Sequence, residues 1–346
     1  MKYAEAIAES GDIAHTMRLP TIACQHGPSY ACAMQRVLIT GAAGWTGGHL
    51  ARRLEKDGDL EILGVDDREP KIQFDSHFEQ LPLDRLTLAQ YVLDVEPNIV
   101  FHLHSVHPRS VQGQSKDAEE RIVGSLALFG ALERLKTVQK VIVKSDTAFY
   151  GASARNPSVL SESARPHGSP SRYERNLREM EQFIGDTAGR YPNMSVTVLR
   201  FAPIFGPSVG NPISMFLQMR AVPTMLGFDP RMQFIHETDA VSALVHAGNV
   251  GVPGTFNVAP EGQIFLSRVL RLGRRVAQPL PSKLFDKALT MLQRANIVIP
   301  DDLRGLLKFG RVTNTSAMAN TFGFTPAFSQ RGIALDVYGR NPETMA

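Results

Sequence analysis

Three glycines, Gly41, Gly44 and Gly47, recur at three-residue spacing between an apolar run, Arg36-Val-Leu-Ile-Thr40, and a helical pattern that begins near His49. A turn of this kind suits a pyrophosphate. The first glycine permits a tight turn at positive φ. The second lets the backbone approach the phosphates, and the third lets the helix pack closely on the strand. Backbone N–H groups at the helix start, around Trp45 and Thr46, then face the anion. The next apolar run, Leu60-Glu-Ile-Leu-Gly-Val65, ends at Asp66. A carboxylate there is placed to accept hydrogen bonds from the 2′-hydroxyl of an adenosine ribose. It also repels a 2′-phosphate, so NAD is expected and NADP is the weaker candidate. Arg68, two residues on, works in the opposite direction.

These groups need a scaffold that sets strand ends beside helix starts. Residues 86–94 and 118–136 carry helical periodicity, and residues 98–103 and 138–143 read as strands. Residues 174–188 read as a helix and 195–199 as a further strand. Strands separated by helices imply right-handed βαβ units and a parallel sheet. Beyond Phe205, prolines and glycines (Gly206-Pro207, Asn211-Pro212, Pro223, Pro230, Pro253-Gly254, Pro260) punctuate a less regular chain. The expected α/β fold is a Rossmann-type doubly wound parallel sheet, residues 35–205. A small α/β C-terminal lobe, residues 206–346, is interleaved with it and binds substrate. Residues 1–34 are expected to be a disordered or non-native extension, upstream of a start at Met34.

The 346 residues, 43% hydrophobic and 21% charged, suit an ordinary globular protein. A net charge of +3, with basic residues interleaved among acids, argues against a nucleic-acid partner. Both cysteines, Cys24 and Cys32, precede the first strand. That excludes a disulfide framework or a Cys-based zinc site in the fold and suits a cytoplasmic location. No apolar run approaches the roughly 20 residues of a membrane helix. Glu5, Glu9 and Asp12 interrupt any signal-like stretch. The expected partner is a small polar metabolite, with no membrane partner, and a homodimer is allowed for.

The form T-G-x-x-G-x-x-G, from Thr40 to Gly47, resembles the short-chain dehydrogenase/reductase superfamily. Further motifs resemble its extended branch, the NAD-dependent epimerase/dehydratase family. Asp84-Arg85 is similar to the acid after its third strand, near adenine. His102-Leu103 is similar to the start of H-L-A-A, and Phe149-Tyr150-Gly151 to V-Y-G. Leu199-Arg200 with Phe205-Gly206-Pro207 resembles L-R-x-x-N-x-Y-G-P, with Pro203 in place of the Asn. Phe234-Ile235-His236 with Asp239 resembles F-I-H-V-x-D. Phe256-Asn257-Val258 and Phe322-Gly323-Phe324-Thr325-Pro326 resemble later landmarks. The set spans residues 36–328, and the run Val222-Pro-Thr-Met-Leu-Gly-Phe-Asp229 resembles UDP-glucose 4-epimerase-like members. The resemblance implies NAD held by Gly41, Gly44, Trp45, Thr46, Gly47, Asp66, Arg68, Asp84, Arg85, Leu103 and His104. It also implies an epimerase or related oxidoreductase acting on a nucleotide sugar or similar polar metabolite.

In that family a Tyr and a Lys in Y-x-x-x-K, with a Ser or Thr, carry the chemistry. The Tyr moves a proton, and the Lys holds the nicotinamide ribose and lowers the Tyr pKa. The hydroxyl hydrogen-bonds the reacting oxygen. Tyr173 matches the tyrosine, in register with Pro166, Pro170 and Glu181, but Leu177 stands at the lysine. Counting back from Gly151, the hydroxyl position falls on Asp146, flanked by Ser145 and Thr147. Lys144, Arg175 and Arg178 are the candidate replacement cations. Arg200, Arg231, His236 and His107 are the expected substrate contacts, and Met232 stands where sugar epimerases carry a phosphate-binding Arg. His102, His104 and His107 form H-x-H-x-x-H, but no nearby carboxylate completes a metal ligand set, so no metal is expected. His104 replaces a small residue and is expected to touch NAD; His107 is a candidate acid/base. The missing lysine sets two expectations side by side. One is a redox enzyme with an altered centre. The other is a dinucleotide-binding member without redox turnover, serving as a sensor, an assembly subunit or a non-redox catalyst.

Overall fold

Alternating apolar runs and helices form a seven-stranded, all-parallel sheet in the computed structural model. The structure describes residues 34–82, 85–104, 116–295 and 297–339, with only the backbone of Arg85 and of residues 116–121. The expectations for residues 1–33, for Asp84, for the Arg85 side chain and for His107 lie outside the described residues.

The first part of the chain runs β1 (Gln35–Thr40), α1 (Trp45–Leu54), β2 (Leu60–Asp66), β3 (His77–Gln80), α2 (Arg85–Val95) and β4 (Ile99–His102). It continues with α3 (Lys116–Leu132), β5 (Lys140–Asp146), α4 (Arg172–Arg190) and β6 (Ser195–Phe201). After β6 the elements shorten: β7 (Ile204–Phe205), α5 (Pro212–Gln218), β8 (Ala221–Met225), β9 (Arg231–Met232) and β10 (Ile235–His236). Then come α6 (Glu237–Val250), β11 (Gly254–Val258), β12 (Ile264–Phe265), α7 (Leu266–Leu272), β13 (Val276–Leu280), α8 (Ser282–Arg294), α9 (Asp301–Phe309) and α10 (Gln330–Val337). The sheet order is β11-β6-β5-β4-β1-β2-β3. The chain thus leaves the sheet after β6 and returns to it for β11. Strand order reverses between β1 and β4, where a doubly wound sheet opens its ligand crevice.

The central strands are almost uniformly buried because helices cover both faces. Among the apolar clusters of the described residues, two frame the elements that carry the site. One joins the sheet to α2, α3 and α4 through residues such as Leu38, Val100, Phe129, Val143 and Ile184. The other packs Phe205, Phe216, Phe234, Leu270, Phe285 and Leu306 among the later elements. Helix α4 begins two residues earlier than its periodicity suggests, because Ser171 and Glu174 form a capping box at its start. Tyr173, Leu177, Met180 and Ile184 then recur at helical spacing on its buried face.

His102 ties β4 to its neighbours. Its Nδ1 meets Thr40 Oγ1 at 2.8 Å and its Nε2 meets Ser125 Oγ at 2.8 Å. Both ring nitrogens are committed, so the ring offers no ligand to a metal. Burial lowers its pKa from 6.5 to about 4. The fold therefore favours the neutral ring. The resulting stability is present above the unfolded pKa and is lost as pH falls from about 6.5 towards 4, amounting to about 3 kcal/mol. Urea unfolding midpoints measured across that range should drop for the unmodified chain. The drop should be smaller in His102→Gln, and an equal drop in both would show that other groups govern acid stability.

Candidate active site

The expected site residues of β1, β2, β4 and β5 lie at the carboxyl ends of those strands. Gly41 adopts φ +80, and a Cβ there would lie 2.9 Å from both His104 N and Leu103 C. The turn after β1 is thus pressed onto the end of β4. A Cβ at Gly47 would collide with Gly41 O. Gly44 meets only Gly41 O, at 3.2 Å, and Gly44, Trp45 and Thr46 are partly exposed. Helix α1 starts at Gly44 with no side-chain cap and no acid in its first turn. Its first N–H groups and the positive end of its dipole therefore face the crevice, which fits the pyrophosphate of a dinucleotide.

Asp66 sits beneath this turn. Its Oδ2 accepts from Ala43 N–H at 3.1 Å and its Oδ1 from Asp67 N–H at 2.8 Å. The carboxylate thus shapes the turn from the end of β2. Arg68 Nε lies 3.4 Å from Asp67 and 3.9 Å from Asp66, so two acids already meet its charge. Trp45, the sole tryptophan of the chain, donates Nε1 to Ser208 Oγ at 2.9 Å. Ser208 in turn bonds Glu237 through both its N–H and its hydroxyl, each at 3.0 Å.

A small cleft lies beyond β5, lined by His104, Lys144, Ser145, Asp146, Tyr173, Leu177 and Met180. Asp146 caps the short 3-10 turn Thr147–Tyr150, its Oδ1 accepting from Ala148 N–H at 2.6 Å. Tyr173 enters from the first turn of α4. Leu177 follows one turn later, is only 2% exposed and belongs to the apolar core. A wider hollow beside Leu60, Glu61 and Tyr91 lies at the amino ends of the strands, away from all of these groups.

Sequence reasoning missed Arg311. Helix α9 ends at Phe309, and Gly310 turns the chain at φ +70, so close to β9 that a Cβ would strike the Arg231 backbone. Arg311 N–H then donates to Arg231 O at 3.0 Å, and the buried guanidinium reaches the end of β5. Its Nε donates to Thr147 Oγ1 at 3.2 Å, and its Nη2 lies 3.6 Å from Asp146 Oδ1. Nη1 is buried without a hydrogen-bond partner. Gly310 is a local signal for a chain reversal after an amphipathic helix. Nothing local says that the next side chain lands on a residue 164 positions away.

Other expected contacts face inward instead. The Ser145 hydroxyl donates to Glu181. Arg200 spends its donors on Glu181 (2.6–3.2 Å), Tyr150 Oη (2.8 Å) and Glu162 O (3.0 Å), and it lies over the Phe149 ring at 3.6 Å. His236 is stacked on Phe328 at 3.7 Å and bonded to Thr238 and Asp336. Ser145, expected beside the catalytic hydroxyl position, and Arg200 and His236, expected as substrate contacts, thus have polar atoms that already meet buried partners. Arg231 reaches sideways to Gln263 at 3.4 Å, and Met232 is buried in the second core. Arg178 donates to Phe149 O and Arg175 to Pro170 O, which leaves neither aimed at Tyr173.

Burial raises the Tyr173 pKa well above its usual 10. Asp146 and Asp302 push it further in the same direction, Arg311 opposes them, and Glu181 adds a smaller upward push. Burial lowers the Lys144 ammonium and Asp146 opposes that shift.

A glycine-turn crevice at the strand-order reversal, with a hydroxyl, carboxylate and phenol cluster beyond β5, defines a dinucleotide-fold protein of the Rossmann class. Residues 37–259 match the NAD dependent epimerase/dehydratase family, and the chain belongs to that family. An uncharacterized protein of Mycobacterium tuberculosis is 30% identical over 307 residues, covering 85% of this chain and 80% of its own length. UDP-glucose 4-epimerase from Thermotoga maritima superposes with a TM-score of 0.69 at 22% identity, over 90% of this chain and all of the other. UDP-glucuronic acid 4-epimerase from Bacillus cereus, solved with UDP-glucuronic acid and NAD, gives 0.67 at 16% identity, over 90% and 99%. At such identities the two structures are alike in fold.

Gly44→Val should abolish NAD binding, because the new side chain fills the open side of the turn, while the melting temperature stays close to that of the parent. Trp45 emission reports both. NAD should bind more tightly than NADP. Asp66→Ala should narrow that gap and weaken both, since Ala43 N–H loses its acceptor. Tighter NADP binding by the unmodified chain, read by calorimetry, would overturn this assignment of Asp66.

Proposed function

We propose that the chain binds NAD across the Gly41, Gly44 and Gly47 turn and acts as an epimerase-like oxidoreductase on a nucleotide sugar or comparably polar metabolite. The observation that carries this reading is the convergence of Thr147, Asp146, Tyr173 and the Arg311 guanidinium beyond β5, beside the crevice. Family membership and the sugar-nucleotide complex of the B. cereus enzyme support the substrate class. When bound, NAD supplies the hydride acceptor and donor.

The chain's own residues divide the remaining work. Thr147 Oγ1 accepts from Arg311, which leaves its O–H to donate to a reacting oxygen. Tyr173 is held as a neutral phenol and acts first as a hydrogen-bond donor. Asp146 takes the place of the family hydroxyl and offers a carboxylate as proton acceptor. Leu177 can neither hold a ribose nor favour a phenolate. Arg311 provides a compensating positive charge, and each pKa unit it supplies is worth about 1.4 kcal/mol. Arg231 remains a candidate for the rim of the substrate site.

A second reading, dinucleotide binding without redox turnover, is favoured by one observation. The lysine position is filled by a leucine packed into the core.

Nicotinamide absorbance and product analysis across a nucleotide-sugar panel separate the two. Under the first reading Tyr173→Phe lowers turnover at least about 100-fold. Arg311→Met lowers it by about 10- to 100-fold with NAD affinity kept, and Arg311→Lys restores part of the loss. Because the Tyr173 pKa lies well above neutrality, a phenolate-dependent rate climbs with pH through the neutral range without a plateau. Leu177→Lys buries an ammonium in the core and should cost roughly 3 kcal/mol or more rather than rescue activity. Bound NAD without turnover on any sugar would favour the second reading. Turnover that survives Tyr173→Phe would reject Tyr173 and direct attention to Asp146 and His107.

A further inference from the structure

Among the described residues, helix α8 presents an outer face that is both basic and apolar. Its buried side is Phe285 and Leu289, packed into the second core. At about 100° per residue, Lys283, Arg294, Lys287, Met291 and Leu284 fall on one outer arc of roughly 100°. Met291 is 67% exposed and Leu284 51%. Among the described residues Lys283, Lys287 and Arg294 make no ion pair. The one acid of the helix, Asp286, is turned aside to Lys308 at 2.7 Å. Residues 266–294 hold seven Lys and Arg against that single acid, although the whole chain is close to neutral.

The apolar side chains continue at the head of the helix. Leu226 N–H donates to Leu280 O, two residues before α8, and Leu226 and Phe228 are 58% and 56% exposed. Asp229, the neighbouring acid, is engaged by the Ser267 N–H and hydroxyl at 2.9 and 2.6 Å.

We propose that the outer face of α8, with residues 226–228 at its head, docks shallowly on an anionic lipid bilayer. Cations flanking a short apolar stripe on an in-plane helix are what an interface of headgroups and acyl chains accepts. A second copy of the chain fits less well. A two-fold contact through this face would set Lys283, Lys287 and Arg294 against themselves. Nucleic acid would meet the cations with phosphates but offers no apolar phase to Leu284 and Met291. No helix among the described residues is long and apolar enough to cross a membrane, so the contact is peripheral.

Sedimentation of the full chain with phosphatidylcholine vesicles, with and without phosphatidylglycerol, tests this. Binding should require the anionic lipid and weaken with salt. The double substitution Lys283→Glu and Lys287→Glu should lower it at least tenfold. Leu284→Ser with Met291→Ser should lower it several-fold even at low salt. Both variants should keep the parent melting temperature and NAD affinity, which separates lost docking from lost folding. Absence of binding, equal binding to neutral vesicles, or indifference to the charge reversal would overturn the proposal. So would a solution dimer that dissociates in the Leu284→Ser, Met291→Ser variant without any vesicle binding.

Discussion

The buried pair of Arg200 on β6 and Glu181 on α4 is the interaction on which the geometry of the site rests. Removing two charges from water costs several kcal/mol per ion, and a pair survives only when its geometry and remaining hydrogen bonds compensate. Here they do. The guanidinium meets both carboxylate oxygens, a phenol and a backbone carbonyl, with an aromatic ring beneath it. Glu181 also takes the Ser145 hydroxyl. The pair therefore clamps α4 to β5 and β6 at the level where Asp146 and Tyr173 emerge. Tyr150 passes the network on to Asn257 on β11 at 2.7 Å, and Asn257 holds the carbonyls of Leu160 and Asn314. Asn314 lies three residues beyond Arg311. One electrostatic cluster thus fixes both halves of the candidate centre.

The parts of this arrangement that could be read in the sequence are those governed by local rules. Glycine spacing between a strand and a helix, and an acid at the end of the second strand, follow from φ preferences and from the phosphate-binding geometry of a βα turn. Tyr173 was legible through its match to the family's Y-x-x-x-K, in register with Pro166, Pro170 and Glu181; the cap at Ser171 that brings it inside α4 was not. Arg200 was visible as a residue of interest, but its partner lies 19 positions earlier on another element. A residue type and a motif cannot tell a substrate-facing guanidinium from one consumed by a carboxylate. Arg311 was not legible. Its place depends on a chain reversal at Gly310 against β9 and on Gln233, which pins Thr313 through its N–H and hydroxyl at 2.9 and 2.8 Å. These are tertiary facts with no periodic signature.

On the proposed reading, an arginine from near the far end of the chain stands in for a lysine one helical turn from the tyrosine, and that alters more than the identity of a cation. A lysine on α4 would move rigidly with Tyr173, so its effect would be present whenever the helix is folded. Leu177 instead completes the apolar stripe of Tyr173, Met180 and Ile184, which strengthens packing and leaves Tyr173 in a setting where burial favours the neutral phenol. The Arg311 charge beside Thr147 and Asp146 arrives with the segment that follows α9. Its influence on Tyr173 and Thr147 depends on how that segment is seated.

The same dependence appears on the cofactor side. Trp45, in the turn that would face the pyrophosphate, is held by Ser208, and Ser208 by Glu237 at the start of α6. Burial raises the Glu237 pKa, while the Ser208 hydrogen bonds oppose that shift and favour the carboxylate. The nucleotide turn and the hydroxyl cluster are therefore each completed by a group from beyond residue 205. Neither half of the site is whole without the later segments. On the proposed reading, occupancy of the crevice would be linked to the seating of those segments through Ser208 and Arg311. That coupling is the physical ground common to the catalytic and the non-redox readings.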